Sequence, residues 1–455
     1  MNHRKIGALD YIAYALSAVV YILPQYLLSS FLSAYYTDVA LVSAGTIGMV
    51  VLAMRFTDGI SDLLMGRVID KTNTRFGKAR PWLLVGTIGL TISLISIFNV
   101  PRNMSNGVKI AWLAVTYFFI MTIFGTVQGV ASNTMIVYLT KDSGERNKFG
   151  ASNMAGVYIG GLAATAVASV LLSKLGYTQS GYSKTMFLYS AIVLVVGTLS
   201  FIRLKEFQAD TDKIEQPKVP LKAVLYAIRH NSYYINAVIA GLLINLINGI
   251  TTGMGVYFCR DLFGNPELYA MVTIALLAPT LLGLPIAVAI ANEVGHQKTL
   301  VYGRIGYMIG VAIQASGLIN SNIPVYFVGV LFAGLCGSTF AACFTARLAN
   351  ICDYGVYKFK INASGTLMSA TSFCNKIGLG LGATVTGFIL ELAHYDGSLV
   401  SAGIAQSAYT IGFERYAVAF IPLVLNMIVV ICLSFTNVDP KLEQMKAELL
   451  KRGEK

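Results

Sequence analysis

The chain has 455 residues, 55% of them hydrophobic and only 12% charged, whereas a soluble domain carries about 25% charged residues. With half the usual polar coat missing and 43 glycines, the composition excludes a soluble enzyme, a disordered chain and a nucleic-acid-binding domain. It fits packed membrane helices, whose small residues let backbones approach.

A helix needs about 20 mostly apolar residues to cross a bilayer. Twelve such runs are read in chain order, at 9–36, 43–66, 81–100, 108–139, 150–173, 184–204, 231–258, 268–292, 299–319, 323–351, 364–393 and 411–436. Pro24 and Pro285 fall inside two of them and predict kinks and tilt rather than extra spans. Met1 to Ile6 hold basic residues but no short apolar stretch ending in a cleavage site, so the first run is expected to be a span and not a removable signal. The six cysteines form no CxxC pair and the four histidines are scattered, so neither a disulfide framework nor a metal site is expected.

The net charge of +12 is explained by placement. With the N-terminus inside, 26 of the 34 lysines and arginines fall on the cytoplasmic side, Arg304 and Arg347 being counted among them. Six (Arg102, Lys109, Lys174, Lys184, Arg260 and Arg415) fall opposite, and Arg55 and Lys376 lie within spans. This is the positive-inside asymmetry; it puts both termini in the cytoplasm and leaves no charge that calls for a nucleic-acid partner. The longest polar stretch, Lys205 to Lys222, splits the chain into halves of similar length. The reading is an all-α membrane protein of twelve transmembrane helices in two six-helix halves, the layout of major facilitator transporters. Its parts are an N-terminal bundle over 1–204, a cytoplasmic linker over 205–222, a C-terminal bundle over 223–440 and a cytoplasmic tail over 441–455.

Charges within spans are costly and mark function by default. Span two holds Arg55, Asp58 and Asp62; the two acids are four apart, so their carboxylates share one helix face, with Arg55 close to that face. Such a pair can surround a small hard cation with oxygen ligands or share a proton. It can equally form a salt-bridge cluster with Arg55 or Lys376 that holds helices together. Lys376, the lone charge read in span eleven, can answer those acids, bind a substrate, or do both in turn. Polar residues inside spans are Gln25, Gln128, Ser132, Asn133, Asn245, Asn248, Thr371, Ser372 and Asn375. Amides both donate and accept, which suits a hydroxyl-rich ligand, and the same residues serve interhelical hydrogen bonding. The turn DKTNTRFGKAR, with Asp70, Arg75, Lys78 and Arg80, resembles the gate motif between the second and third spans of major facilitator proteins. No GxSxG or GxxxxGK[ST] is present, so an enzyme is not expected.

Tyr35-Tyr36-Thr37-Asp38-Val39, the span-two acids and Gly66 to Trp82 together resemble the glycoside–pentoside–hexuronide:cation symporter family. Asp353-Tyr354-Gly355, Lys358 and Lys376 extend the resemblance into the second half. It implies that Asp58 and Asp62 bind Na⁺, Li⁺ or H⁺, with no cofactor and no metal beyond the transported cation. It also implies that Lys376 lies near both cation and sugar, and that Asp38, Asp70, Arg75, Lys78, Arg80 and Asp353 serve gating or architecture. In melibiose-type members an acid in span one and one in span four grip galactosyl hydroxyls; Ile22 (or nearby Gln25) and Gly129 stand there in this chain, and Asn133 replaces a tryptophan. The departure favours a uronide or another glycoside over a galactoside. Expected candidates for coupling and substrate contact are Arg55, Lys376, Gln25, Gln128, Asn133, Asn245, Asn248, Thr371 and Asn375.

The functional expectation is a secondary active transporter of the cytoplasmic (inner) membrane, acting as a monomer in the bilayer. It couples Na⁺ or H⁺ to uptake of a glycoside, pentoside or hexuronide by alternating access. Two rivals are the same fold carrying a lysolipid or other non-sugar solute, and a non-transporting membrane receptor.

Overall fold

In hydrocarbon every backbone N–H and C=O must be satisfied within its own segment, so long apolar runs fold as helices. The computed structural model describes residues 6–101, 104–140, 142–206, 226, 229–359 and 364–438. The first-half helices are α1 (Ala8–Asp38), α2 (Ala44–Lys71), α3 (Arg80–Ile97), α4 (Asn106–Leu139), α5 (143–175) and α6 (Gln179–Arg203). The second-half helices are α7 (Ser232–Asp261), α8 (Leu268–Val294), α9 (His296–Ile319), α10 (Ile323–Phe359), α11 (Ser364–Leu392) and α12 (Ala408–Ser434). A five-residue helix, Gly397–Ser401, joins the last two. Among the described residues the only β pairing is a single bridge between Thr74 and Gly77.

Ten of these helices are long and apolar enough to cross a membrane: α1, α3 to α8, and α10 to α12. The other two, α2 and α9, have 28 and 24 residues, enough to span, but they are more polar. In α2 the cause is the charge series from Arg55 to Lys71. Pro24, Pro279, Pro285 and Pro422 all sit inside continuous helices. Two helices carry π-type turns, Phe118–Gly125 in α4 and Ala163–Val167 in α5, a local widening that recurs at functional sites. Large apolar side chains stay outside: Leu282 is 73% exposed and Phe187 66%, a coat suited to lipid and costly in water.

The described chain forms two compact units. The first contains Met1–Thr211, Thr252–Ile274 and Ala383–Glu414. Within it α1 packs on α5 and α6, and α3 on α6, around a core that includes Tyr14, Met65, Ile69, Leu83, Met135 and Phe149. The second contains Asp212–Thr251, Ala275–Gly382 and Arg415–Lys455. There α9 and α10, joined by a three-residue turn, pack along their length, and Ile244, Ile247, Leu300, Cys343 and Val429 form a buried cluster. Most of the linker expected at 205–222 and all of the tail at 441–455 lie outside the described residues.

One placement is corrected. Arg304 and Arg347, counted above with the cytoplasmic loop charges, are buried inside α9 and α10, 4% and 1% exposed. Arg304 donates to the Asn426 amide and stacks 4.4 Å over the Tyr307 ring. Arg347 donates to the Thr436 carbonyl at 2.5 Å. A guanidinium is weakly hydrated and spreads its donors in a plane, so amide and carbonyl acceptors make its burial tolerable.

Candidate functional site

In the first unit the span-two charges are brought together as the i, i+3, i+4 spacing requires. Arg55 is 4% exposed and Asp58 2%, and Arg55 Nη1 donates to Asp58 Oδ2 at 3.3 Å. The guanidinium also lies 5.9 Å from the Tyr117 ring centre on α4. Asp62, one turn on, is half-buried. Helix α4 faces this turn with hydroxyls in matching register. Thr122 Oγ1 donates to Asp58 Oδ1 at 2.5 Å, and Thr126 Oγ1 donates to Asp62 Oδ1 at 3.1 Å. Thr57 and Ser61 of α2 meet the same two threonines at 2.9 and 2.8 Å.

The result is a strip of two carboxylates and four hydroxyls along one α2–α4 seam, an oxygen-only donor set of the kind hard cations take. With both carboxylates ionised, Arg55 offsets one of them and leaves the triad one negative charge in excess. Of the two readings left open by the sequence, the ion pair is formed between Arg55 and Asp58, and the oxygen-rich seam keeps Asp58 and Asp62 as the candidates for a cation site. The threonines were not singled out from the sequence, because hydroxyls on apolar helices are common. Their signal is the repeat Thr122…Thr126, four apart like Asp58…Asp62, beside the π-type turn that ends at Gly125.

The other first-unit candidates are more dispersed. Gln128 is 1% exposed, with Oε1 lacking a hydrogen-bond partner among the described residues. Ser132 bonds Ser17 of α1 at 2.7 Å. Gln25 is half-buried and Asn133 exposed. Ile22 is only 9% exposed, and a Cβ on Gly129 would stand 2.9 Å from the Tyr21 ring. The two positions that carry acids in melibiose-type relatives are thus filled by apolar packing, with no room for a carboxylate at Gly129.

The turn after α2 is held by a residue the sequence reading missed. Backbone N–H groups of Lys78, Ala79 and Arg80 each donate to the Glu206 carboxylate at 2.7 Å, which caps the open N-terminus of α3 where an anion is favoured. Arg80 donates to the carbonyls of Phe201 and Ile202 and stacks 4.6 Å over the Phe201 ring. Asp70 and Arg75 are exposed.

In the second unit the α7–α11 crossing gathers several candidates. A Cβ on Gly382 would lie 2.7 Å from Gly249 Cα, and one on Gly241 2.7 Å from Asn375 Oδ1, so glycine is what lets the two helices touch there. Asn245 donates to the Gly241 carbonyl at 2.8 Å, and Asn375 Oδ1 has no hydrogen-bond partner among the described residues. Thr371 is 2% exposed and lies 3.2 Å from the Tyr234 hydroxyl. Lys376 is half-buried on α11, Asn248 is exposed, and Asp353 is half-buried within α10.

A second charged cluster in the first unit went largely unread. Arg260, at the end of α7, donates to Asp38 Oδ2 at 2.8 Å and grips Asp261 with two nitrogens at 2.8 and 3.1 Å. It also donates to the Tyr395 hydroxyl at 2.6 Å, which itself donates to Asp38 Oδ1 at 2.7 Å. Glu414, on α12, is 0% exposed. The rule that an acid within a span marks function would have found it.

Comparison with known proteins follows the same lines. The family profile described as MFS/sugar transport protein matches residues 13–440. The chain is 28% identical over 443 residues to the isoprimeverose transporter of Lactiplantibacillus pentosus, covering 96% of this chain and 90% of the relative. It is 25% identical over 432 residues to the glucuronide carrier protein homolog of Escherichia coli (strain K12), covering 92% and 90%. Among solved structures, a nucleoside transporter, NupG, aligns with a TM-score of 0.66 at 15% identity, over 94% of this chain and 99% of that one. A D-xylose–proton symporter aligns with a TM-score of 0.62 at 13% identity, over 91% and 96%. The structural likenesses establish the fold.

Proposed function

The chain belongs to the MFS/sugar transport family, as one of its glycoside–pentoside–hexuronide:cation symporters, and on that premise we propose that it moves Na⁺ or H⁺ together with a glycoside, pentoside or hexuronide. It is an integral membrane transporter of sugars and not an enzyme. The proposal takes α2 and α9 as spans too, bringing the ten apolar helices to twelve, places both termini on the cytoplasmic side of an inner membrane, and takes the monomer as the transporting unit.

The observation that carries cation coupling is the α2–α4 seam. Arg55 pairs with Asp58, and the coupling cation, Na⁺, Li⁺ or H⁺, is proposed to bind among the carboxylate and hydroxyl oxygens of Asp58, Asp62, Thr122 and Thr126. Thr122 and Thr126 then turn their oxygens to the ion, since a hydroxyl can donate to a carboxylate or accept from a proton or cation. Lys376, Asn245, Asn248, Thr371 and Asn375 in the second unit, with Gln25, Gln128 and Asn133 in the first, are proposed to bind sugar hydroxyls. Alternating access, the mechanism of major facilitator transporters, is proposed for the transport cycle. Linkage requires that if the cation raises solute affinity, the solute raises cation affinity by the same factor.

Relatives are named for isoprimeverose, glucuronide and lactose, and the apolar filling of the Ile22 and Gly129 positions favours a solute that needs no carboxylate partner there. Uptake into proteoliposomes of a glucuronide, a galactoside and a xyloside, each under an inward Na⁺ gradient, an inward H⁺ gradient and neither, tests the reading. Gradient-dependent accumulation of the glucuronide or the xyloside is expected. Equal uptake with and without either gradient overturns the coupling assignment.

A further inference from the structure

The cluster at Asp38 and Arg260 contains a carboxyl group that the proposed transport mechanism does not use. Glu414 is 0% exposed, and neither of its oxygens has a hydrogen-bond partner among the described residues. One turn before it on α12, the Thr410 hydroxyl donates to the Ala393 carbonyl at 2.8 Å, beside the segment that carries Tyr395, and the charged groups that bear on Glu414 are Asp261, Arg260 and Asp38. The donors of Arg260, Tyr395 and Tyr257 are turned elsewhere. Arg260 directs its bonds to Asp38, Asp261 and the Tyr395 hydroxyl. Tyr395 donates to Asp38, and the Tyr257 hydroxyl meets Thr37 at 2.9 Å. Arg415, next in sequence on the same helix, reaches neither oxygen.

With all groups ionised, the cluster would hold three carboxylates against one guanidinium, the Arg260 side chain being 19% exposed and Glu414 0%. An ionised carboxylate in that position, with no donor, is among the most costly groups a protein can bury. Two remedies exist: a metal ion shared by the acids, or a proton. Among the described residues no group of three or more His, Cys, Asp or Glu side chains is arranged to hold a metal ion. Asp38 and Asp261 are already satisfied by Arg260.

We propose that Glu414 is a proton-binding site separate from Asp58 and Asp62, occupied while the Asp38–Arg260–Tyr395 cluster is assembled and vacated when the cluster opens to water. The same cluster ties the C-terminal end of α1 to the end of α7 and to the segment after α11, where Ser401 also donates to the Asp38 carbonyl at 2.6 Å. Opening it admits water to Glu414, and a hydrated glutamate ionises well below neutral pH. The assembled arrangement therefore binds one more proton than the opened one. Acid favours assembly and alkali favours opening, by a factor of about ten per pH unit over the range where Glu414 is protonated only when assembled. The inference does not depend on which solute or cation is carried.

Hydrogen–deuterium exchange of the purified full-length protein in lipid nanodiscs tests it without any transport assay. Protection is read for segments 255–262 and 394–402 from about pH 5 to about pH 8, corrected for the intrinsic pH dependence of exchange. In the wild type the protection factor should fall about tenfold per pH unit. Glu414→Gln, a neutral mimic of the protonated acid, should remain protected with no slope, and Glu414→Asp should restore one. A flat wild-type profile overturns the proposal whatever the variants do, as does an unchanged slope in Glu414→Gln. A wild-type profile that follows Na⁺ concentration at fixed pH also overturns it, because the site would then hold a metal cation.

Discussion

Thr122→Val is the sharpest perturbation of the cation seam. Valine keeps the volume and the branching at Cβ, so the change isolates one hydroxyl that is 3% exposed and bonded to Asp58 Oδ1 at 2.5 Å and to Thr57 at 2.9 Å. A hydrogen bond to a charged group contributes about 1.5–3 kcal/mol. If the hydroxyl serves the cation-bound state as the account holds, cation affinity should fall by roughly ten- to 150-fold. The assay is solute uptake in proteoliposomes as a function of cation concentration. Half-maximal activation should move up by that factor, with maximal uptake recovered at saturating cation, and Thr122→Ser should remain close to wild type. A Thr122→Val protein with unshifted cation dependence refutes the assignment. Equal defects in Thr122→Val and Thr122→Ser would show that the position acts by packing alone.

Asn375→Ala, and independently Asn245→Ala, should raise the KM for solute by about five- to 150-fold, the worth of roughly 1–3 kcal/mol of hydrogen bonding, while cation activation stays in place; competition binding with labelled solute reads this directly. Glu206→Gln weakens three backbone hydrogen bonds at the start of α3 and should lower stability by about 1–3 kcal/mol, seen as a lower midpoint in thermal unfolding. Tyr395→Phe removes a donor to Asp38 and an acceptor for Arg260; it should raise deuterium uptake in residues 394–402 relative to wild type, and unchanged uptake would show that the cluster is not what holds that segment.

The helices were legible because hydrocarbon leaves a chain little choice: ten runs announce themselves by apolarity, and α2 and α9 only by length and position. Asp58 and Asp62 were legible because charge is rare within spans. The same reasoning should have flagged Glu414, which sits six residues into α12, yet it was passed over beside Arg415. Arg304 and Arg347 were misplaced because counting loop charges assumes that a basic residue near a helix end reaches water, whereas amide and carbonyl acceptors hold these two inside. Thr122, Thr126 and Glu206 were harder to read for another reason. A hydroxyl acquires meaning only when a neighbouring helix supplies a carboxylate in register, and a capping acid 126 residues from the helix it caps leaves no local pattern.

The central claim is that solute and cation move together, with the cation bound at Asp58 and Asp62. The direct measurement is solute-driven cation entry: vesicles with no imposed ion gradient receive solute, and Na⁺ or H⁺ uptake is followed alongside solute uptake. The account predicts cation entering together with solute in the wild type, and none in folded Asp62→Asn. Solute entry unaccompanied by any cation in the wild type, or undiminished cation entry in Asp62→Asn, would contradict it.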